Sequence, residues 1–202
     1  VIPLTGSAGL SYKLSSDGSF YSVSGIGSCK DSDMYIPTFH KGLPVRYIFE
    51  VRKGSFFTYE NHTVTSIHIS EGIERIGSYA FHAYYALKTV YIPSTVQQID
   101  YGFITGANIE SIIVDENSPY LRVVDNCLID IKQKEIVYGY GDFSIPTDGS
   151  VTKIMEYAFA NNEHLTNVVI PDGITCIYSE AFIGCKNVLS IHLPASVVTV
   201  SS

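Results

Sequence analysis

One apolar pattern recurs in this chain with a step of 23 residues, and that step constrains the fold more than any other feature. In Ile174–Pro194, ITCIYSEAFIGCKNVLSIHLP, apolar side chains fall at Ile174, Ile177, Phe182, Val188, Ile191 and Leu193, and Pro194 closes the unit. Starting at Val151 the order is Ile154, Phe159, Leu165, Val168, Ile170, Pro171. Starting at Ile73 it is Ile76, Phe81, Leu87, Val90, Ile92, Pro93. Each copy runs into the next apolar start, at Val96, Ile174 or Val197. A fixed period of this length is the signature of a solenoid. One such coil buries too little to offset the entropy of ordering its backbone, so it folds only when neighbours cover its two sides.

Composition sets the outer limits. The 202 residues are 46% hydrophobic and 16% charged, which is globular rather than disordered. A net charge of −7 argues against nucleic acid, whose phosphates need clustered Lys and Arg. No apolar run reaches the 18 or more residues of a membrane span. The chain begins at Val1, so a processed or trimmed chain is expected, and a missing export signal carries no weight. Cys29, Cys127, Cys176 and Cys185 allow three pairings, but a core of this size needs no staples and free thiols are expected.

Residues 1–44 lack the repeat. Leu10–Leu14 and Phe20–Ile26 alternate about a Gly-containing turn, and Asp33–Ile36 adds a short strand before Pro37. We read them as an N-terminal β-hairpin cap, covering the open end of a solenoid that occupies 45–202. The first coil is irregular, with a bulged loop between Phe49 and His62 that holds Phe56, Phe57 and Tyr59. A second interruption, 115–150, contains a hairpin from Cys127–Ile131 and Glu135–Tyr138. At Val197 and Val200 another coil begins, so the chain is expected to be cut from a longer protein.

Glu180-Ala-Phe-Ile-Gly-Cys185 followed by Val188-Leu-Ser-Ile-His-Leu-Pro194 resembles the BspA-type leucine-rich repeat, and Tyr157-Ala-Phe159 and Tyr79-Ala-Phe81 repeat its central element. The stretch from Val23-Ser-Gly-Ile-Gly27 to Val45 and the interruption near Asn117-Ser-Pro119 resemble that family too, while Phe49–His62 departs from it. The resemblance implies an α/β solenoid: a right-handed leucine-rich repeat superhelix of short parallel strands with short helical or 3-10 turns. It also implies a secreted or cell-surface protein, commonly bacterial and linked with adhesion, whose partner is a host or cell-surface protein or a glycan. No catalytic residue, cofactor or metal comes with it. The leading expectation is therefore an interaction module; a structural spacer is the alternative, and a glycan-processing protein the weakest reading.

The chemistry-bearing motifs are thin. Gly25-Ile-Gly27 and Gly139-Tyr-Gly141 begin dinucleotide fingerprints without a third glycine, and read as turns. No nucleophile elbow, P-loop or zinc-protease motif occurs. His68 and His192 share a repeat position, but four coils at ~4.8 Å each hold them roughly 19 Å apart, beyond one metal's reach. Asp31 with Asp33, and Asp115 with Glu116, read as turn carboxylates before weak calcium ligands. Asn61-His62-Thr63 is a glycosylation sequon only in a eukaryotic source.

Function then falls to the strand surface. In Leu-x-x-Ile-x-Ile the apolar residues point inward, so those between them point outward. That alternation puts Ser66, Thr89, Ser111, Asn167 and Ser190 in one exposed row. His68, Tyr91, Ile113, Val169 and His192 form a second. The short polar row suits hydrogen bonding and the mixed row suits protein contact. Phe81, Phe103, Phe159 and Phe182 are expected to stack inside the opposite wall.

Overall fold

The computed structural model describes residues 6–48 and 61–201. They fall in two compact units, Val1–Ser118 and Pro119–Ser202. In the first unit the strands are β1 (Ser11–Leu14), β2 (Tyr21–Gly25), β3 (Asp33–Ile36), β4 (Phe39–His40), β5 (Leu43–Ile48), β6 (Ser66–Ile69), β7 (Arg75–Ile76), β8 (Thr89–Ile92), β9 (Gln98–Ile99) and β10 (Ser111–Val114). Two sheets result, one ordered β1-β2-β5-β7-β9 with β4 beside β5, the other β10-β8-β6-β3. Apart from the antiparallel pairs β1-β2 and β4-β5, successive coils contribute one strand to each, and those neighbours are parallel. Arg75 pairs with Gln98 and Ser66 with Thr89, each 23 residues on. The sequence period is thus the inter-coil register.

The core lies between these sheets. Ile67, Ile69, Val90, Ile92 and Ile112 face it from one side, Ile48, Ile76 and Ile99 from the other, and all are buried. Leu87, Phe81 and Phe103 close the walls that join them. Their alternation with outward polar residues is what the two-residue period of a strand demands.

The second unit follows the same plan. Its strands are β11 (Leu121–Val124), β12 (Cys127–Asp130), β13 (Glu135–Gly139), β14 (Lys153–Ile154), β15 (Asn167–Val169), β16 (Cys176–Ile177), β17 (Ser190–His192) and β18 (Thr199–Val200). One sheet runs β11-β12-β13-β14-β16-β18 and the other is the pair β15-β17. β11, β12 and β13 form an antiparallel meander, after which β13, β14, β16 and β18 are parallel.

The turns expected to be helical are not; no helix occurs among the described residues. The reason is visible in the Ala-Phe segments. The N–H groups of Tyr79, Phe81 and Ala83 donate to Tyr101, Phe103 and Thr105 of the next coil, while those of Ala80, His82 and Tyr84 donate to carbonyls three residues back. A helix would commit every N–H to its own i−4 carbonyl and leave none for the neighbouring coil. Left-handed residues four apart enforce the break: Tyr79 and Ala83 (φ 57° and 61°), Tyr157 and Asn161 (63° and 59°), and Glu180 and Gly184 (56° and 72°). A wall of consecutive tight turns replaces each helix.

A separate N-terminal cap is also not what the structure shows. β1 and β2 do form an antiparallel hairpin, but β2 pairs in parallel with β5 and β3 with β6. Residues 11–36 therefore extend both sheets, adding β2 and β1 to one and β3 to the other. The edge of β3 is covered instead by Ser7, whose N–H donates to Tyr35 O at 2.8 Å and whose Oγ accepts from Tyr35 N at 3.0 Å. The bulged loop expected at Phe49–His62 lies almost wholly outside the described residues. All four cysteines are free thiols; Cys185 Sγ, for instance, donates to Phe159 O at 3.1 Å.

Candidate functional site

The outward face of the sheet β3-β6-β8-β10 carries the most ordered array of polar and aromatic groups on the first unit. Register places Asp33, Ser66, Thr89 and Ser111 side by side as one row, and Tyr35, His68, Tyr91 and Ile113 as the next. Six of the ten residues expected on a binding face thus meet here. The other four share the second unit's pair of strands, Asn167 beside Ser190 and Val169 beside His192.

Two members of the first array were assigned at sequence level to the N-terminal hairpin region: Asp33 and Tyr35. The signal that identifies them is Asp33-Met-Tyr-Ile-Pro37, which has the alternation and closing proline of Thr89-Val-Tyr-Ile-Pro93.

The aromatic row is a stack. Tyr35 and His68 lie 4.4 Å apart at 11°, and His68 and Tyr91 lie 4.2 Å apart at 10°. Strand spacing of ~4.8 Å is what permits this, since it nearly matches the contact distance of parallel rings. Each ring is half-buried by its neighbours, and beneath them Met34, Ile67 and Val90 are fully packed. Ile113, 44% exposed, continues the row. The rings therefore present mainly their edges outward.

Asp33, Ser66 and His68 are connected through the Ser66 hydroxyl. Ser66 Oγ donates its proton to Asp33 Oδ1 at 2.5 Å, so toward His68 Nε2, 3.3 Å away, it is an acceptor. A serine nucleophile needs the reverse, a histidine that accepts the hydroxyl proton. The same short polar contact recurs in the second unit, where Ser190 Oγ donates to Asn167 Oδ1 at 2.8 Å.

Burial between the two tyrosines holds the His68 pKa below its ordinary value, and the Asp33 carboxylate opposes this only in part. A histidine that binds its proton less well folded than unfolded contributes stability above the unfolded pKa near 6.5, and loses it as pH falls toward the depressed folded value. His40, stacked on Tyr12 at 3.7 Å, is shifted the same way by burial. Acidification from pH 7.5 to 5.5 is thus expected to destabilise the first unit. His68→Phe, which keeps a stacked ring without a titrating group, should flatten that pH dependence measured by thermal melts; an unchanged slope would remove His68 from the account.

The other expected sites resolve into local structure. Asp115 Oδ1 accepts from Asn117 N and Nδ2 at 2.8 and 3.1 Å, and Asn61 Oδ1 from Thr63 N and Val64 N at 2.9 and 2.7 Å; both shape turns. Among the described residues no group of three or more His, Cys, Asp or Glu is placed to hold a metal. Among the described residues no helix is long and apolar enough to cross a membrane.

Residues 51–128 and 140–202 match the family described as BspA type leucine rich repeat region, in six copies that take in more than half of the chain. Among solved structures, the chain is similar to the pneumococcal vaccine antigen PcpA, at 15% identity and a TM-score of 0.52, covering 98% of this chain and 71% of that one. It is also similar to a leucine-rich repeat protein of Eubacterium ventriosum, at 17% identity and a TM-score of 0.53, covering 96% of this chain and 66% of that one. At these identities the likeness is one of fold. No curated protein matches.

Proposed function

Because the chain belongs to the BspA-type leucine-rich repeat family, we propose that it is an extracellular or cell-surface protein-interaction module, serving adhesion and carrying no catalysis. The observation that supports this reading is the row Tyr35–His68–Tyr91–Ile113 on a fully packed base. Such a row is pre-organised: the rings are already held by one another, so little side-chain entropy is lost when a partner covers them. Tyrosine supplies large contact area with few rotors, and the adjacent short polar row leaves room for a partner's backbone to approach. A glycan is the less favoured ligand for this face. Sugars pack flat on ring faces, and here stacking covers both faces of His68 and one of Tyr35.

Binding to an array of immobilised host matrix and cell-surface proteins tests the proposal. A partner should be captured by the 202-residue chain and lost or weakened about tenfold or more by Tyr91→Ala, with the melting temperature close to the parent's. His192→Ala asks the same question of the second unit's face. Capture unaffected by either substitution would move the site off the strand surfaces, with the 115–150 hairpin region next to be tested. No specific capture at all would defeat the reading.

A further inference from the structure

The end of the aromatic stack adjoins an open concavity of ≈ 380 Å³ lined by Gly6, Ser7, Asp31, Ser32, Asp33 and Tyr35. Its position follows from β3 being the last strand of its sheet. β6 lies on one side of β3 and covers one face of the Tyr35 ring with His68. On the other side of β3, among the described residues, the Ser7 segment follows, and Tyr35 itself lines the concavity between them. Asp31 and Asp33 are exposed at its rim. Asp33 uses one oxygen to accept from Ser66, which fixes the carboxylate while leaving its other lone pairs toward solvent.

The surroundings share this sign. Within the described segments 29–42, 61–74, 82–95 and 105–118, which hold the strands of this sheet and their flanking turns, Asp31, Asp33, Glu71, Glu74, Glu110, Asp115 and Glu116 stand against Lys30, Lys41 and Lys88. Lys88 is already held by Glu110, Nζ to Oε1 at 2.7 Å. Glu71 is turned to the adjacent coil, where it accepts from Ser94 N at 3.0 Å. His68 is kept toward its neutral form by burial and adds little positive charge near pH 7.

We propose that this face docks a basic polypeptide segment of a partner protein, and that the concavity at Tyr35 receives one of its arginine or lysine side chains. The inference rests on the interaction-module reading and narrows it to a partner chemistry. A cation seated there would lie against the Tyr35 ring, whose quadrupole attracts cations, and within reach of the Asp31 and Asp33 carboxylates. The rest of the segment would run along the Ser66, Thr89 and Ser111 row, whose hydroxyls are short enough to let a backbone approach. The net acidic field would steer such a partner in and repel an acidic one.

The probes are an acetylated, amidated Gly-Arg-Gly-Arg-Gly peptide and its neutral citrulline counterpart, titrated into the ¹⁵N-labelled 202-residue chain. Saturable amide shifts are expected at Ser7, Ser32, Asp33 and Tyr35 with the arginine peptide, and about tenfold weaker binding with citrulline. Asp33→Asn keeps the shape and the acceptor for Ser66 but removes the charge, and should weaken the arginine peptide severalfold; Tyr35→Leu should do the same while leaving the remaining spectrum in place. Equal affinity for the two peptides, indifference to Asp33→Asn, an absence of saturable shifts, or equal shifts with a neutral methyl glycoside would each overturn the proposal. A partner captured from the protein array that depends on Tyr91 but not on Asp33 would overturn it too, while leaving the interaction-module reading standing.

Discussion

Replacing Phe159 by alanine should destabilise the chain by ~3–5 kcal/mol and lower the melting transition by roughly 10 °C or more. Phe159 has no exposed surface. Its ring is stacked between Phe143, at 4.2 Å and 16°, and Phe182, at 5.1 Å and 20°. Ile136, Ile154, Ile174 and Ile177 share its cluster, so the truncation leaves a hole whose walls belong to several coils and cannot collapse together. Phe182 is the internal control. It is half-buried and covered from one side, so Phe182→Ala should cost clearly less. Equal losses at the two positions, or a Phe159→Ala variant that melts within a degree or two of the parent, would mean that the stack does not carry this unit.

The repeat grammar placed Phe159 and Phe182 in the same wall but gave no hint of Phe143. Between Val114 and Val151 the pattern lapses, and nothing in Gly139-Tyr-Gly-Asp-Phe143 resembles an Ala-Phe turn. Three dimensions supply what the local pattern lacks: Phe143 reaches the stack from a loop, with Asn126 Nδ2 bonded to Asp142 O at 3.2 Å beside it. The strands and their register were legible because they rest on alternation and a constant step, both one-dimensional. The walls were misread as helical for the opposite reason. Whether an N–H closes on its own chain or on the next coil depends on the left-handed residues at Tyr79, Ala83, Tyr157 and Asn161, none of which is glycine. Nothing in their side chains announces that conformation.

The candidate face was read with one boundary misplaced. Treating Asp33–Ile36 as part of a cap removed Tyr35 from its row, although its spacing from Pro37 matches that of Tyr91 from Pro93. The gap of 33 residues between Asp33 and its partner Ser66, against 23 between Ser66 and Thr89, is what hid the relation. A period search finds only constant steps, and extra residues between two paired strands break the count without breaking the register. The ring stacking itself was out of reach of sequence, since it needs both the register and the rotamers.

Gly139 makes a sharper demand on the same stack. It lies in β13, its N–H donates to Ala158 O at 2.9 Å, and its φ is not in the left-handed region. Backbone conformation alone would therefore welcome alanine, which has less freedom to lose on folding. Space does not: a Cβ at Gly139 would stand 2.6 Å from Phe159 Cδ1 and overlap Cε1 outright. The ring cannot tilt away, because Phe143 and Phe182 hold both of its faces. Gly139→Ala should accordingly cost ~1–3 kcal/mol through overpacking. The same substitution in a Phe159→Ala background should be neutral or slightly stabilising, because the obstructing ring is gone. Denaturant midpoints at unchanged m-values would report a coupling of at least ~1 kcal/mol between the two positions. Additive losses would instead place the cost of Gly139→Ala in the strand itself and separate the glycine from the phenylalanine it is argued to accommodate.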